Sequence, residues 1–191
     1  MNLFGLQSGE TQSVMQNEEA ASQPSISLRP VGEDDLEFLC RLYASTRMDE
    51  LAVTGWDAAM IEHFLRMQFN LQHSQYLSGH PDASFDLVYS DAVPAGRLYV
   101  KRTGREIRII DIALLPEFRA RGIGGRIMRK LVAEADATGC MMSLHVEMNN
   151  PILSFYRSLG FREIELRGIY YYMERGQLPE GVRQLSSEPQ A

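Results

Sequence analysis

Between Phe118 and Leu131 the sequence runs Arg119-Ala120-Arg121-Gly122-Ile123-Gly124-Gly125-Arg126-Ile127-Met128-Arg129-Lys130, with five cations and no acid. Glycines let a backbone approach a ligand closely and leave its amide hydrogens exposed. Ile123, Ile127, Leu131 and Ala135 recur every four residues, which predicts a helix that starts inside this run and stops near Gly139. A helix start adds amides without intrahelical acceptors and the positive end of the helix dipole. Glycines, amides and arginines together suit phosphate oxygens. The chain as a whole carries a formal charge of −6, so this local positive excess is a feature aimed at an anion. Two common phosphate loops are excluded. No Gly-Lys-Ser/Thr occurs here, and a GxGxxG pattern is not completed, because Gly124 is followed by Gly125-Arg126-Ile127.

A second run with chemical potential is Asn149-Asn150-Pro151-Ile152-Leu153-Ser154-Phe155-Tyr156-Arg157-Ser158-Leu159-Gly160-Phe161. Asn150 followed by Pro151 predicts an N-cap and a first helical position, with the helix ending at Gly160. It carries one phenol able to move a proton, Tyr156. His145, just upstream in the apolar run Cys140–Val146, has the reference pKa near 6.5 that suits a base. Metal chemistry is not expected. The four histidines lack HExxH spacing, and Cys40 and Cys140 form no CxxC pair, so both are read as buried reduced thiols.

These runs need a scaffold, and the hydrophobic pattern supplies one. Ile26–Val31 alternates as a strand. Glu33-Asp34-Asp35 places acids at a helix first turn, followed by the apolar stripe Leu36, Leu39, Cys40 and Tyr43. A second helix is predicted from Asp57 to about Leu77, with Met60, Phe64, Met67 and Leu71 as its core stripe. Ser84–Tyr89 and Gly96–Val100 read as a hairpin across Asp91-Ala92-Val93-Pro94, and Ile107–Leu115 as the next strand. Cys140–Val146, Arg162–Leu166 and Tyr170–Met173 complete an α/β (α+β) order of β-α-α-β-β-β-α-β-α-β-β. Residues 1–24 and 176–191 are polar and aperiodic and are expected to be tails, leaving one domain over 25–175.

The bulk numbers agree with one soluble domain. The chain has 191 residues, 45% hydrophobic and 23% charged. The net negative charge gives no general attraction to nucleic acid or anionic membrane. No apolar run approaches the ~20 residues needed to span a bilayer, and the N-terminus has no secretory pattern. A cytoplasmic location, as a monomer or a homodimer, is the expectation.

Arg119-x-x-Gly122-x-Gly124 resembles the acetyl-CoA signature of the GNAT superfamily of N-acetyltransferases, and Asn149–Phe161 is similar to that family's Asn-Pro…Leu-Tyr…Leu-Gly-Phe segment. The resemblance covers about residues 26–174. It implies a mixed, mostly antiparallel central sheet flanked by helices. It also implies that the backbone of Arg119, Ala120, Arg121, Gly122, Ile123, Gly124 and Gly125 binds the pyrophosphate of acetyl-CoA, with Asn149 or Asn150 contacting the same molecule. The thioester would lie where strands 107–115 and 140–146 part, with amides of Ile112, Ala113 and Leu114 on its carbonyl oxygen and arm. Tyr156 matches the general acid. Where many members carry a glutamate base, this chain has Arg108. Glu106 on the same face, and His145 and Glu147 on the neighbouring strand, are the alternatives, with His145 preferred and a water chain still open. The acceptor is expected to be an amine-bearing small molecule or peptide, drawn in by Asp49, Glu50 and Asp57 around Trp56. A degenerate acetyl-CoA-binding sensor or scaffold is the competing reading.

Overall fold

The structure is a computed structural model and describes residues 23–176. The expected tails lie outside the described residues, apart from Gln23, Pro24 and Gly176. The elements are β1 (Ile26–Pro30), α1 (Leu36–Ser45), α2 (Met48–Leu51), α3 (Ala58–Gly79), β2 (Ala83–Ser90), β3 (Val93–Arg102), β4 (Glu106–Leu114), α4 (Ile123–Thr138), β5 (Met141–Glu147), α5 (Leu153–Ser158), β6 (Arg162–Arg167) and β7 (Tyr170–Arg175). The order matches the sequence reading except for α2, a single turn whose four residues are too few to show a period.

The seven strands form one sheet in the order β1-β2-β3-β4-β5-β7-β6. β4 and β5 pair in parallel and every other neighbour is antiparallel. Between β2 and β3 the turn is only Asp91-Ala92, both at positive φ (48° and 66°). That is the tight hairpin geometry whose twist matches paired strands. α4 and α5 cover one face over a core that includes Val100, Ile107, Ile109, Ile127, Met142, Leu144 and Tyr156. α1 and α3 cover the other through Leu39, Tyr43, Leu65, Phe69 and Leu87.

Two expectations are corrected. The stripe Met60, Met67 and Leu71 is not core: these residues are 52%, 51% and 55% exposed. α3 instead buries Leu65 and Phe69, which lie on the opposite side of the helix. Both sides carry apolar residues, so periodicity alone could not choose between them. Of the two thiols, Cys40 is buried but Cys140 only partly so, because it precedes β5 in the turn from α4 and is not within the strand.

β4 contains the feature that organises the site. Tyr99 pairs with Asp111 and Val100 with Ile109, so Ile110 is an extra residue without a partner. A bulge of this kind reverses the alternation beyond it. Ile107 and Ile109 face the α4 core before it, and Ile112 and Leu114 after it. Asp111 and Ala113 thereby join Glu106 and Arg108 on the α3 face.

Candidate active site

β4 and β5 are paired only from Glu106–Ile109 and Met141–Leu144. Beyond Ile109 they separate, and the last residues of β5 pair with β7 alone. Leu115 donates its amide to Ala95 O at 2.9 Å. By the alternation of an antiparallel ladder, Ala113 points its amide to β3 as well, while Ile112 and Leu114 direct theirs into the opening. β4 and β3 are in intimate contact here, since a Cβ on Gly96 would lie 2.1 Å from Ala113 O. Of the expected oxyanion and arm donors, Ile112 and Leu114 are therefore well directed and Ala113 is not.

The glycine-rich turn follows at the same end of the sheet. Ala120 (φ 57°) and Gly122 (φ 75°) are both left-handed, which turns the chain sharply into α4. The first helical bond runs from Arg126 N to Gly122 O at 3.0 Å. Among the described residues, the amides from Ala120 to Gly125 have no protein acceptor. Apart from Gly122 and its two chain neighbours, no atom of the described residues lies within 4 Å of the position a Cβ on Gly122 would take. Successive unpaired amides at a helix N-terminus form an anion cradle. The residues thus fit a pyrophosphate, with Ile123 buried in the core as the anchor of the turn.

The five cations do not act as one patch. Arg119 donates through Nε to Leu114 O at 2.8 Å and through a terminal nitrogen to Ser45 O at 3.3 Å, tying the turn to β4 and α1. Arg126 donates to Pro24 O at 2.6 Å. Arg121 lies over the Phe118 ring at 5.6 Å. Arg119 and Arg126 thus brace the backbone, and the unpaired amides are the groups left to form the cradle.

Tyr156 rises from α5 and is 6% exposed, packed against Phe155 and Phe161. Burial pushes its phenol up to about 12, and the nearby charge of Asp111 adds to this. The phenol therefore holds its proton at neutral pH. α5 begins at Leu153, not at Pro151: Asn150 Oδ1 accepts the Ile152 amide at 3.0 Å and caps the turn before the helix. That leaves Asn149, exposed, as the asparagine with no side-chain bond to the described residues.

His145 lies on the sheet face opposite Leu144 and Val146, with Tyr172 beside it at 5.0 Å between ring centroids. Partial burial, then the charges of Arg108 and Arg167, lower its pKa. Glu106 is occupied, since Ser143 Oγ donates to its carboxylate. Glu147 accepts from Tyr170 Oη at 3.3 Å.

Two of the acids proposed for the acceptor side, Asp57 and Glu50, already have partners. Asp57 caps α3, its Oδ1 accepting the Met60 amide at 2.8 Å. Glu50 pairs with Arg47 at 3.1 Å. Asp49 is the second residue of α2. Trp56 is 40% exposed and meets Phe64 edge-on at 5.3 Å. Arg47 feels the charge of Glu147, which sets α2 near the open end of β5.

Sequence reading missed Asp111. It pairs with the buried guanidinium of Arg97 at 2.5 Å and accepts from Tyr76 Oη at 3.3 Å, both on Oδ2. Its other oxygen has no partner among the described residues. The signal was available: in Ile107-Arg108-Ile109-Ile110-Asp111-Ile112, strict alternation would bury the aspartate, and the doubled isoleucine marks the phase change.

A mixed sheet split between its two parallel strands, a helix-start amide cradle beside the split and a buried tyrosine below it define an acyl-CoA-type binding fold. The family model of the acetyltransferase (GNAT) family matches residues 46–161, more than half of the chain, and the chain belongs to this family. It is 33% identical over 94 residues to the thialysine N-epsilon-acetyltransferase of Sus scrofa, covering 48% of this chain and 54% of the relative. It is 30% identical over 86 residues to glucosamine 6-phosphate N-acetyltransferase 1 of Oryza sativa subsp. japonica, covering 44% and 52%. The chain thus spans about half the length of these relatives. The solved PaiA N-acetyltransferase of Thermoplasma acidophilum, in complex with coenzyme A, shares the fold at a TM-score of 0.59 and 21% identity, over 80% of this chain and 99% of that one.

Proposed function

We propose that this chain transfers the acetyl group of acetyl-CoA to a primary amine by direct attack in a ternary complex. The observation that carries the reading is the unpaired amide run from Ala120 to Gly125 at the start of α4, which follows the end of β4 where β4 and β5 are no longer paired, with Tyr156 buried in the core under α4. The cradle takes the pyrophosphate, with Asn149 alongside. The arm then runs along β4, and the amides of Ile112 and Leu114 stabilise the oxyanion that forms when the amine attacks. Tyr156, protonated at neutral pH, donates to the departing sulfur.

His145 accepts the proton of the attacking amine, a role supported by the low pKa that keeps its imidazole neutral at pH 7. The free oxygen of Asp111 faces the same side of β4 and holds the amine before attack. The acceptor enters past α2, where Asp49, Glu50, Trp56 and Asp57 shape the mouth. Relatives whose names give thialysine, glucosamine 6-phosphate and a ribosomal-protein alanine as acceptors have only an amine in common, so the family leaves the remainder of the acceptor open. We place the reaction in the cytoplasm.

Calorimetry and thiol release test this together. The wild type should bind acetyl-CoA and release thiol faster with some amines of a panel. Gly122→Leu should bind none, because the side chain fills the cradle and the left-handed backbone resists it. Unchanged affinity in Gly122→Leu would sink the cofactor assignment. Tight acetyl-CoA binding with no amine-dependent release would favour a sensor.

A further inference from the structure

Lys101 and Arg108 face each other directly across the β3–β4 pair. Residues opposed in this way point to the same side of the sheet, and like charges there repel. Both are partly buried, which weakens the screening that would relieve them. Eight of the sixteen arginines among the described residues have a carboxylate partner, among them Arg97 with Asp111 on these same two strands and Arg102 with Glu134 next to Lys101. Among the described residues neither Lys101 nor Arg108 has one. Glu106, the acid nearest on this face, is bound by Ser143 instead.

The position of Arg108 is also informative. Its charge lowers His80 at the C-terminal end of α3 and His145 on β5, after partial burial has lowered both. In register it lies beside Ser143, two residues before His145 on β5, and across Lys101 from Ala83, three residues after His80 at the end of α3. Because of the Ile110 bulge it shares a face with Asp111, on the order of 7–10 Å along the strand. The negative end of the α3 dipole offsets part of the repulsion, but no carbonyl of that helix is hydrogen-bonded by either side chain.

We propose that Arg108, backed by Lys101, binds a carboxylate or phosphate carried by the acceptor at its end away from the reacting amine. This rests on the acetyl-transfer reading above and narrows it: the acceptor is an amine with an anionic group, held by its amine at Asp111 and by its anion at Arg108. A guanidinium fork matches the paired oxygens of either anion, and Lys101 adds a point charge. A polyamine, cationic at both ends, would be repelled from this position.

The test compares matched probes: phosphoethanolamine with ethanolamine, and 5-aminovalerate with pentylamine. Binding is measured calorimetrically on the full chain saturated with coenzyme A, and thiol release from acetyl-CoA is measured separately. At least one anion-bearing probe should bind roughly 10–100-fold more tightly than its partner lacking the anion, the strength of a charge-assisted contact in a partly screened site. The pair that shows the preference identifies phosphate or carboxylate. Arg108→Gln should collapse the ratio to about one, and Arg108→Lys should keep part of it. Arg108→Gln should also melt no lower than wild type, since it removes a repulsion. Equal binding of all probes by wild type, a ratio that survives Arg108→Gln, or a lower melting temperature in that variant would overturn the proposal. If anionic probes bind through Arg108 but no amine releases thiol, the subsite stands and acetyl transfer falls. Thiol release that ignores the anion in both proteins has the opposite meaning.

Discussion

Arg97 and Asp111 meet at 2.5 Å across the β3–β4 pair, with side chains 5% and 18% exposed. Arg97 also bonds Gln72 on α3 at 3.1 Å and packs against the Tyr76 and Tyr99 rings. The pair ties the bulged part of β4 to the helix above it, and so fixes the strand end that lines the active-site opening.

Removing one member of a buried pair leaves the other charge uncompensated, which costs about 3–5 kcal/mol. Arg97→Gln should therefore lower the urea midpoint sharply, with the partial exposure of Asp111 holding the loss towards the lower figure. Arg97→Lys should recover part. A midpoint within error of wild type for Arg97→Gln would show that Asp111 draws its support from water.

Tyr156→Phe keeps the packing against Phe155 and Phe161 and removes only the phenolic proton. Turnover should drop about 10²–10⁴-fold, the usual contribution of a positioned acid, while calorimetry gives an unchanged acetyl-CoA affinity. Wild-type turnover in single-turnover measurements would reduce Tyr156 to a core aromatic.

Alkaline stability should be limited by buried phenols. Burial raises Tyr99, Tyr156 and Tyr172 to about 12, and Tyr76 higher still. Unfolded tyrosines ionise near ~10. Between these values the unfolded chain has released protons that the folded chain retains, so folding stability falls as pH rises from about 10 towards 12. Urea midpoints at pH 9, 10 and 11 should decline in that order. The decline should be shallower in a Tyr99→Phe, Tyr156→Phe double variant, and a flat series would contradict the assignment.

The acids proposed for the acceptor mouth can be separated from their structural duties. Asp57→Asn removes charge but keeps an N-cap, whereas Asp57→Ala should cost about 1 kcal/mol of stability. Combining Asp57→Asn with Asp49→Asn and Glu50→Gln should raise the acceptor KM and leave acetyl-CoA affinity alone, more visibly at low salt. An unchanged KM would show that these carboxylates serve only the helix and Arg47.

The sequence by itself determined most of the scaffold and the turn proposed to hold the cofactor. The helix period of Ile123–Ala135, the alternation in the strands, and the order strand, Arg-x-x-Gly-x-Gly, helix are local properties. They depend on neighbours a few residues apart, and Gly122 has the left-handed φ its residue type allows. The tertiary structure decided which apolar face of α3 is buried, because Met60-Phe64-Met67-Leu71 and Leu65-Phe69 are both acceptable stripes and only packing against the sheet selects one. It also decided the face proposed for the acceptor. Asp111 reaches its face through a bulge set by pairing with β3, Arg108 opposes Lys101 only once the strands are in register, and Arg119 turned to Leu114 and Ser45 when the turn was folded against them. These are contacts between residues far apart in the chain, and their geometry is fixed by strand pairing and packing, not by spacing.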